Sequence, residues 1–186
     1  MLWTAGAYEG MVRDQLRNTT YILNGTVETL LRSEVRAYLR RRAEAGAEIL
    51  RWAYREHAGD TVARGAAVGR AVDALRAGKV GNSGYYYAVN LSGTAVFHPD
   101  SALVQTSLPG RWPLARLVAT RGGYLEYREQ DGGTPGLWAL FTTSIPELGW
   151  LLTAAAPMAE MAGLVDLDGL HQAINAAASG RGGYSY

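Results

Sequence analysis

Cysteine is absent from the 186 residues. That absence removes disulfides, thiol nucleophiles and cysteine-ligated zinc together. It leaves the compartment open, since an exported domain can fold without disulfides. Long apolar runs are missing too. No stretch reaches the roughly 18–20 residues of a membrane-crossing helix, and no charged start leads into the apolar core of a signal peptide. If the chain belongs to a membrane receptor, its anchoring helices lie outside this sequence. An excess of one charge is also lacking. With 18 Lys+Arg against 17 Asp+Glu the net charge is +1, so the molecule as a whole is no polyanion binder. The basic residues crowd ahead of Gly81, with a run at Arg40, Arg41 and Arg42. That run reads as a solvated helix face or as a membrane- or nucleic-acid-facing patch. No aromatic residue interleaves with it, which argues against single-stranded nucleic acid.

Histidine is scarce. His57, His98 and His171 are the only three, and no pair has the helical spacing of metal ligands. No G-x-S-x-G occurs, and no acidic pair sits in a recognisable catalytic motif. Gly78, Gly81 and Gly84 recur at three residues, but they precede a strand and do not open a helix, the wrong context for a phosphate cradle. Catalysis is the weakest reading of this chain, and neither metal nor cofactor is implied.

What is present is a change of period. Proline does not occur before Pro99. Over that stretch Leu23, Val27, Leu30, Leu31, Val35, Tyr38, Leu39, Ala43, Ala47, Leu50 and Tyr54 recur at three- and four-residue spacing, one apolar stripe on a long helix. His57–Asp60 reads as a break. Asp60 or Thr61 can cap a second helix to about Arg76, with Val62, Ala66, Val72 and Leu75 inward and Gly78 ending it. From Gly84 the spacing turns to that of strands. Gly84–Val89 and Thr94–His98 form a hairpin around Asn90-Leu91-Ser92-Gly93, and Pro99 stops the second strand. Residues 99–113 read as an irregular loop, and Pro113–Ala119 as a short helix. Three further strands, Tyr124–Glu129, Leu137–Ile145 and Gly149–Ala155, follow with connections short enough for antiparallel pairing. Pro157 begins a helical stretch, another runs from about Leu167 to Ala177, and a frayed tail starts at Ser179. Five antiparallel strands with helices collected to one side make an α+β domain. The organisation is a helical region over 1–78, a sheet with its pocket over 79–163, and a C-terminal helix and tail over 164–186, one domain in all.

The stretch Lys79–Pro99 resembles the central motif of Cache domains, in which a Gly-Tyr opens the first sheet strand, a turn with Gly follows, and His-Pro ends the second. Ser144–Leu152, with its Gly149-Trp150, resembles the family's closing strands, and Ala156–Glu160 its short return helix. The resemblance spans roughly Leu23 to Met161. It implies a single-Cache, PAS-like sheet packed on a long N-terminal helix. It also implies display outside the cytoplasmic membrane, on the periplasmic or extracellular face, as the sensor of a chemoreceptor or histidine kinase. The chain departs from the carboxylate-binding members at two positions. Trp138 stands near their lysine, and Phe141 replaces a common tyrosine, so the pocket is more apolar.

These readings converge on a ligand site between the sheet and residues 99–121, lined by Tyr85, Tyr87, His98, Trp112, Arg116, Tyr127 and Trp138. Alternation puts Tyr85 and Tyr87 on one face and Tyr86 on the other. Which face meets the long helix stays open. Buried tyrosine needs a hydroxyl partner and so makes a natural ligand donor. His98 is either a strand-end residue bonded to backbone or a donor at the pocket mouth. Among Arg111, Arg116 and Arg121, Arg116 offers a planar fork for a carboxylate. The expected ligand is a short organic acid of the acetate, propionate, pyruvate or lactate class. The alternatives are an amino acid or amine, with Asp100 or Glu126 meeting the ammonium, or a structural dimerisation domain with a vestigial pocket. A cytoplasmic PAS-like partner domain is the further possibility. The length of the apolar stripe predicts a homodimer through the long helix in the full receptor.

Overall fold

The computed structural model describes residues 4–107, 114–129 and 135–161, with side chains from Val27 onward and, after residue 113, from Ala115. The helix expected over Leu167–Ala177, the tail from Ser179 and His171 lie outside the described residues. The chain divides into two compact units, Met1–Glu34 with Val165–Tyr186, and Val35–Leu164. In the first unit the described side chains include an Arg32–Glu28 pair at i,i+4 spacing, 2.9 Å apart. The second unit carries the sheet.

Helix α1 spans Thr4–Glu56. Within the second unit Val35, Leu39, Ala43, Ala47 and Leu50 of the expected stripe are buried, joined by Gly46 and Ala53, while Tyr38 and Tyr54 are half-buried at its edge. The stripe narrows to small residues at its middle, which lets the helix backbone approach the sheet. A Cβ on Gly46 would stand 3.0 Å from Leu152 Cδ2 and 3.2 Å from Leu75 Cδ2, so glycine is where α1, the sheet and the second helix meet. Helix α2 spans Thr61–Ala77. Asp60 caps it, accepting from the N–H groups of Val62 at 2.9 Å and Ala63 at 3.0 Å. Those bonds, the Ala63 N–H first, hold the Asp60 carboxyl below the ordinary range. The inward face of α2 differs from expectation. Ala67, Ala71 and Leu75 are buried, whereas Val62 is 83% exposed and Ala66 is also exposed. Ala67, Ala71 and Leu75 recur at i,i+4 spacing on the inward face, while Val68 and Val72 are half-buried beside it.

Six strands follow in place of five: β1 Lys79–Val80, β2 Gly84–Asn90, β3 Ala95–Phe97, β4 Gly123–Glu129, β5 Gly136–Ile145 and β6 Trp150–Pro157. A 3₁₀ turn at Ser101–Leu103 and helix α3, Leu114–Thr120, lie between β3 and β4. Pro157 ends β6, so helix α4 begins one residue later and spans Met158–Met161. The pairing is antiparallel throughout, in the order β1-β2-β6-β5-β4, with β3 also on β2. The last strand therefore lies in the middle, between the first long strand and the β4–β5 hairpin. The β2–β3 turn forms as its sequence suggests. Asn90 Oδ1 accepts from the N–H groups of Ser92 and Thr94, and Gly93 takes φ 84°.

The β1–β2 turn is held from two sides. Arg42 donates to the Lys79 carbonyl and the Gly81 N–H to the Tyr38 hydroxyl, both from α1. Glu160 of α4 accepts from the N–H groups of Asn82 and Ser83, each at 3.0 Å, and from the Ser83 hydroxyl. At the opposite end of the sheet, Arg51 donates to the Ser144 carbonyl, and Arg55 pairs with Glu147 in the β5–β6 turn.

Candidate functional site

Alternation along β2 sends Tyr86 toward α1, where its ring lies 3.6 Å from the Cβ position of Gly46. Tyr85, Tyr87 and Val89 take the other face. Register extends that face across the sheet. Tyr85 stands opposite Ala155, Ala155 opposite Leu140, and Leu140 opposite Leu125. The adjacent row runs Tyr87, Thr153, Thr142, Gly123, and on the other side Pro157 faces Trp138, which faces Tyr127. A single cluster results, with Tyr87, Val89, Ala95, Leu117, Trp138, Leu140, Leu151 and Ala155 buried and Tyr85, Val118, Leu125 and Tyr127 packed against it. Leu117 and Val118 come from α3, so the segment after β3 crosses this face.

Four of the expected site residues meet as rings. Tyr85 lies 5.3 Å from His98, 5.6 Å from Trp138 and 6.1 Å from Tyr87, centroid to centroid, and Tyr87 lies 5.5 Å from His98. Such separations suit tilted and edge-on aromatic contact. Tyr127, a fifth, packs against the same cluster as Tyr85. Burial raises all three phenols above their ordinary range, Tyr87 and Tyr127 most strongly. The nearby carboxylate of Glu129 adds to the effect on Tyr85 and Tyr127. The Tyr127 hydroxyl works against the shift at Tyr85, as the Thr153 hydroxyl does at Tyr87. The phenols are thus held neutral, as hydrogen-bond donors.

His98 is bonded to backbone at the strand end, the first of its two sequence readings. Its Nδ1 accepts from the Asp100 N–H at 3.0 Å, and its ring lies against Tyr85 and Tyr87. A ring that accepts at Nδ1 is the neutral tautomer with its proton on Nε2.

Two expected residues are not in this group. Trp112, with Arg111, lies outside the described residues. Arg116 is described and is exposed on α3. Successive helical positions differ by about 100°, so burying Leu117 turns Arg116 outward. Conversely, the sequence reading passed over Thr142, Thr153, Leu117, Leu140 and Ala155. For the four strand residues the signal was the alternation along β5 and β6, which has no meaning for a site until those strands are known to lie beside β2. Among the described residues no group of three or more His, Asp or Glu could hold a metal ion, and no helix is long and apolar enough to cross a membrane.

No protein-family model and no curated protein sequence matches the chain. Solved structures do. A periplasmic sensor domain of a chemotaxis protein matches with a TM-score of 0.58 at 24% identity, covering 67% of this chain and 96% of that one. A Cache chemosensory domain described for carboxylic acid recognition matches with a TM-score of 0.58 at 17% identity, covering 70% and 97%. A methyl-accepting chemotaxis protein from Vibrio parahaemolyticus RIMD 2210633 matches with a TM-score of 0.57 at 15% identity, covering 75% and 98%. The fold is that of a single Cache sensor domain: α+β, a long N-terminal helix and one antiparallel sheet.

Proposed function

We propose that this chain is the extracytoplasmic sensor of a transmembrane receptor, a chemoreceptor or histidine kinase, and that it binds a short organic acid on the aromatic face of its sheet. The observation that carries the reading is the meeting of Tyr85, Tyr87, His98 and Trp138 on one face, under α3. Hydroxyl groups and an imidazole Nε2–H on an apolar floor suit one small ligand with acceptor oxygens. The likeness to a domain described for carboxylic acid recognition supports the same class. With Arg116 turned outward, the acid would be received by neutral donors. Hydrogen bonds to a charged partner contribute about 1.5–3 kcal/mol each, enough for two or three to hold a small anion.

The test is calorimetry with acetate, propionate, pyruvate and lactate beside a panel of amino acids and amines. Micromolar to millimolar binding of an acid, weakened in Tyr85→Phe and unchanged in Arg116→Ala, is the expected outcome. Binding of amines alone would sink the acid reading, and no binding at all would favour a structural domain. The reading includes no turnover chemistry. Hydrolase, transferase and oxidoreductase assays are expected to be blank, and a reproducible rate that vanishes in His98→Ala would overturn that.

A further inference from the structure

The β1–β2 turn ties α1, β2 and α4 together. Glu160 of α4 accepts at Oε2 from the N–H groups of Asn82 and Ser83, each at 3.0 Å, and at Oε1 from the Ser83 hydroxyl. From α1, the Tyr38 hydroxyl accepts from the Gly81 N–H at 3.2 Å, and Arg42 donates to the Lys79 carbonyl at 2.8 Å. The turn runs straight into β2, whose Tyr85 belongs to the aromatic face. The chain enters this unit along α1, and α4 is the last element described.

The turn is rigid toward the face and soft toward solvent. Gly84 is pressed between strands. A Cβ there would stand 2.4 Å from the Ala155 carbonyl oxygen and 2.7 Å from the Ala156 Cβ. Tyr85 pairs with Ala155, and β6 leads through Pro157 directly into α4. A displacement of Tyr85 therefore meets no slack before Ser83. Asn82 and Ser83 are exposed, however, so water can replace Glu160 at both N–H groups at little cost. Burial does not demand these bonds. The contact closes a ring of backbone from Ser83 to Tyr85, across to Ala155 and along β6 to Glu160. A ring that closes through bonds so easily exchanged suits a switch better than a staple.

We infer that Glu160, Asn82 and Ser83 form a coupling latch: a ligand seated against Tyr85 favours the closed contact and so passes occupancy of the aromatic face to α4. The inference rests on the reading of this face as an acid site. Coupling is reciprocal, so a latch held open weakens the ligand by the factor by which the ligand tightens the latch.

The test follows amide hydrogen exchange at Asn82 and Ser83 in the full chain, beside calorimetric titration with acetate, propionate, pyruvate and lactate. Saturation with the acid that binds should slow exchange at both amides about fivefold. The Leu148 amide, bonded to the Ile145 carbonyl in the β5–β6 turn, should keep its rate. Glu160→Ala removes the acceptor and should weaken the same acid about fivefold. Amides that ignore a bound acid, or an affinity unchanged in Glu160→Ala, overturn the latch. If wild type binds none of the four, the acid reading fails and Tyr85→Ala decides the latch by itself. That variant should speed exchange at Asn82 and Ser83 about fivefold and not at Leu148. Unmoved amides, or equal speeding at Leu148, overturn it.

Discussion

The rings of Tyr85 and Trp138 lie 5.6 Å apart although β2 and β5, which carry them, are not neighbours in the sheet. Strand β6 runs between them and contributes Ala155 opposite Tyr85 and Pro157 opposite Trp138. The two aromatics meet over a strand whose own side chains there are small.

Enlarging Ala155 should therefore separate them. Ala155→Leu is expected to destabilise the fold by about 1–3 kcal/mol through overpacking and to abolish ligand binding, measured by urea unfolding and calorimetry. Unaltered stability together with wild-type affinity would show that the space above Ala155 is not confined.

Trp138, 4% exposed, is a core residue as well as part of the proposed ligand face. Trp138→Ala is expected to cost about 3–5 kcal/mol in denaturant unfolding, with Trp138→Phe losing much less. A cost below about 1 kcal/mol would place the ring outside the packed face.

The buried phenols predict alkaline behaviour. Tyr85, Tyr87 and Tyr127 ionise above their ordinary range when folded, chiefly because burial penalises the phenolate. Their contribution to stability is intact below the unfolded value of about 10 and is lost as pH rises above it. Absorbance at the phenolate band should show these three titrating only with unfolding. The variant Tyr87→Phe/Tyr127→Phe should unfold at higher pH than wild type.

Glu160 predicts the opposite limb. Its bond with the Ser83 hydroxyl, first, and the N–H groups of Ser83 and Asn82 hold its carboxyl below the ordinary range. The stabilisation is present above the unfolded carboxylate value of about 4.3 and is lost as pH falls through the lower folded value. Glu160→Gln should melt a few degrees below wild type at pH 7, the scale of about 1 kcal/mol in a domain of this size. The two should converge in strong acid. A constant difference at every pH would assign the effect to packing.

Dimerisation through α1 is testable in the proposed full receptor. Val27, Leu30 and Leu31 are half-buried on the apolar stripe of α1. Cysteines at Val27 or Leu30 are expected to crosslink two copies of the full receptor, and the absence of any crosslinked dimer there would remove α1 as the interface. The isolated chain need not dimerise, because no membrane concentrates it as one would in the proposed receptor.

Much of the fold was legible because it is local. The stripe from Val35 to Leu50, the Asp60 cap, the Asn90–Gly93 turn and the β5–β6 turn each follow from a few adjacent residues. Misses arose where a neighbour decides. Val62 lies outward because the inward stripe of α2 falls on Ala67, Ala71 and Leu75 instead. The two-residue strand β1 exists because β2 offers it an edge, with Val80 against Gly84. There a Cβ on Gly84 would stand 2.2 Å from the Val80 carbonyl oxygen.

The sequence by itself determined that Tyr85 and Tyr87 share a face, that His98 ends the partner strand, and that Trp138 alternates with Ala139. These are consequences of a two-residue period and need no knowledge of the rest of the chain. Only the tertiary structure decided that this face is the one away from α1, and that β6 enters between β2 and β5. That insertion joins Tyr87 to Thr153 and Thr142 and brings Tyr85 to Trp138. Strand order is set by which apolar faces can be covered together once every backbone N–H and C=O must pair, a condition on the whole sheet that no local run of residues contains.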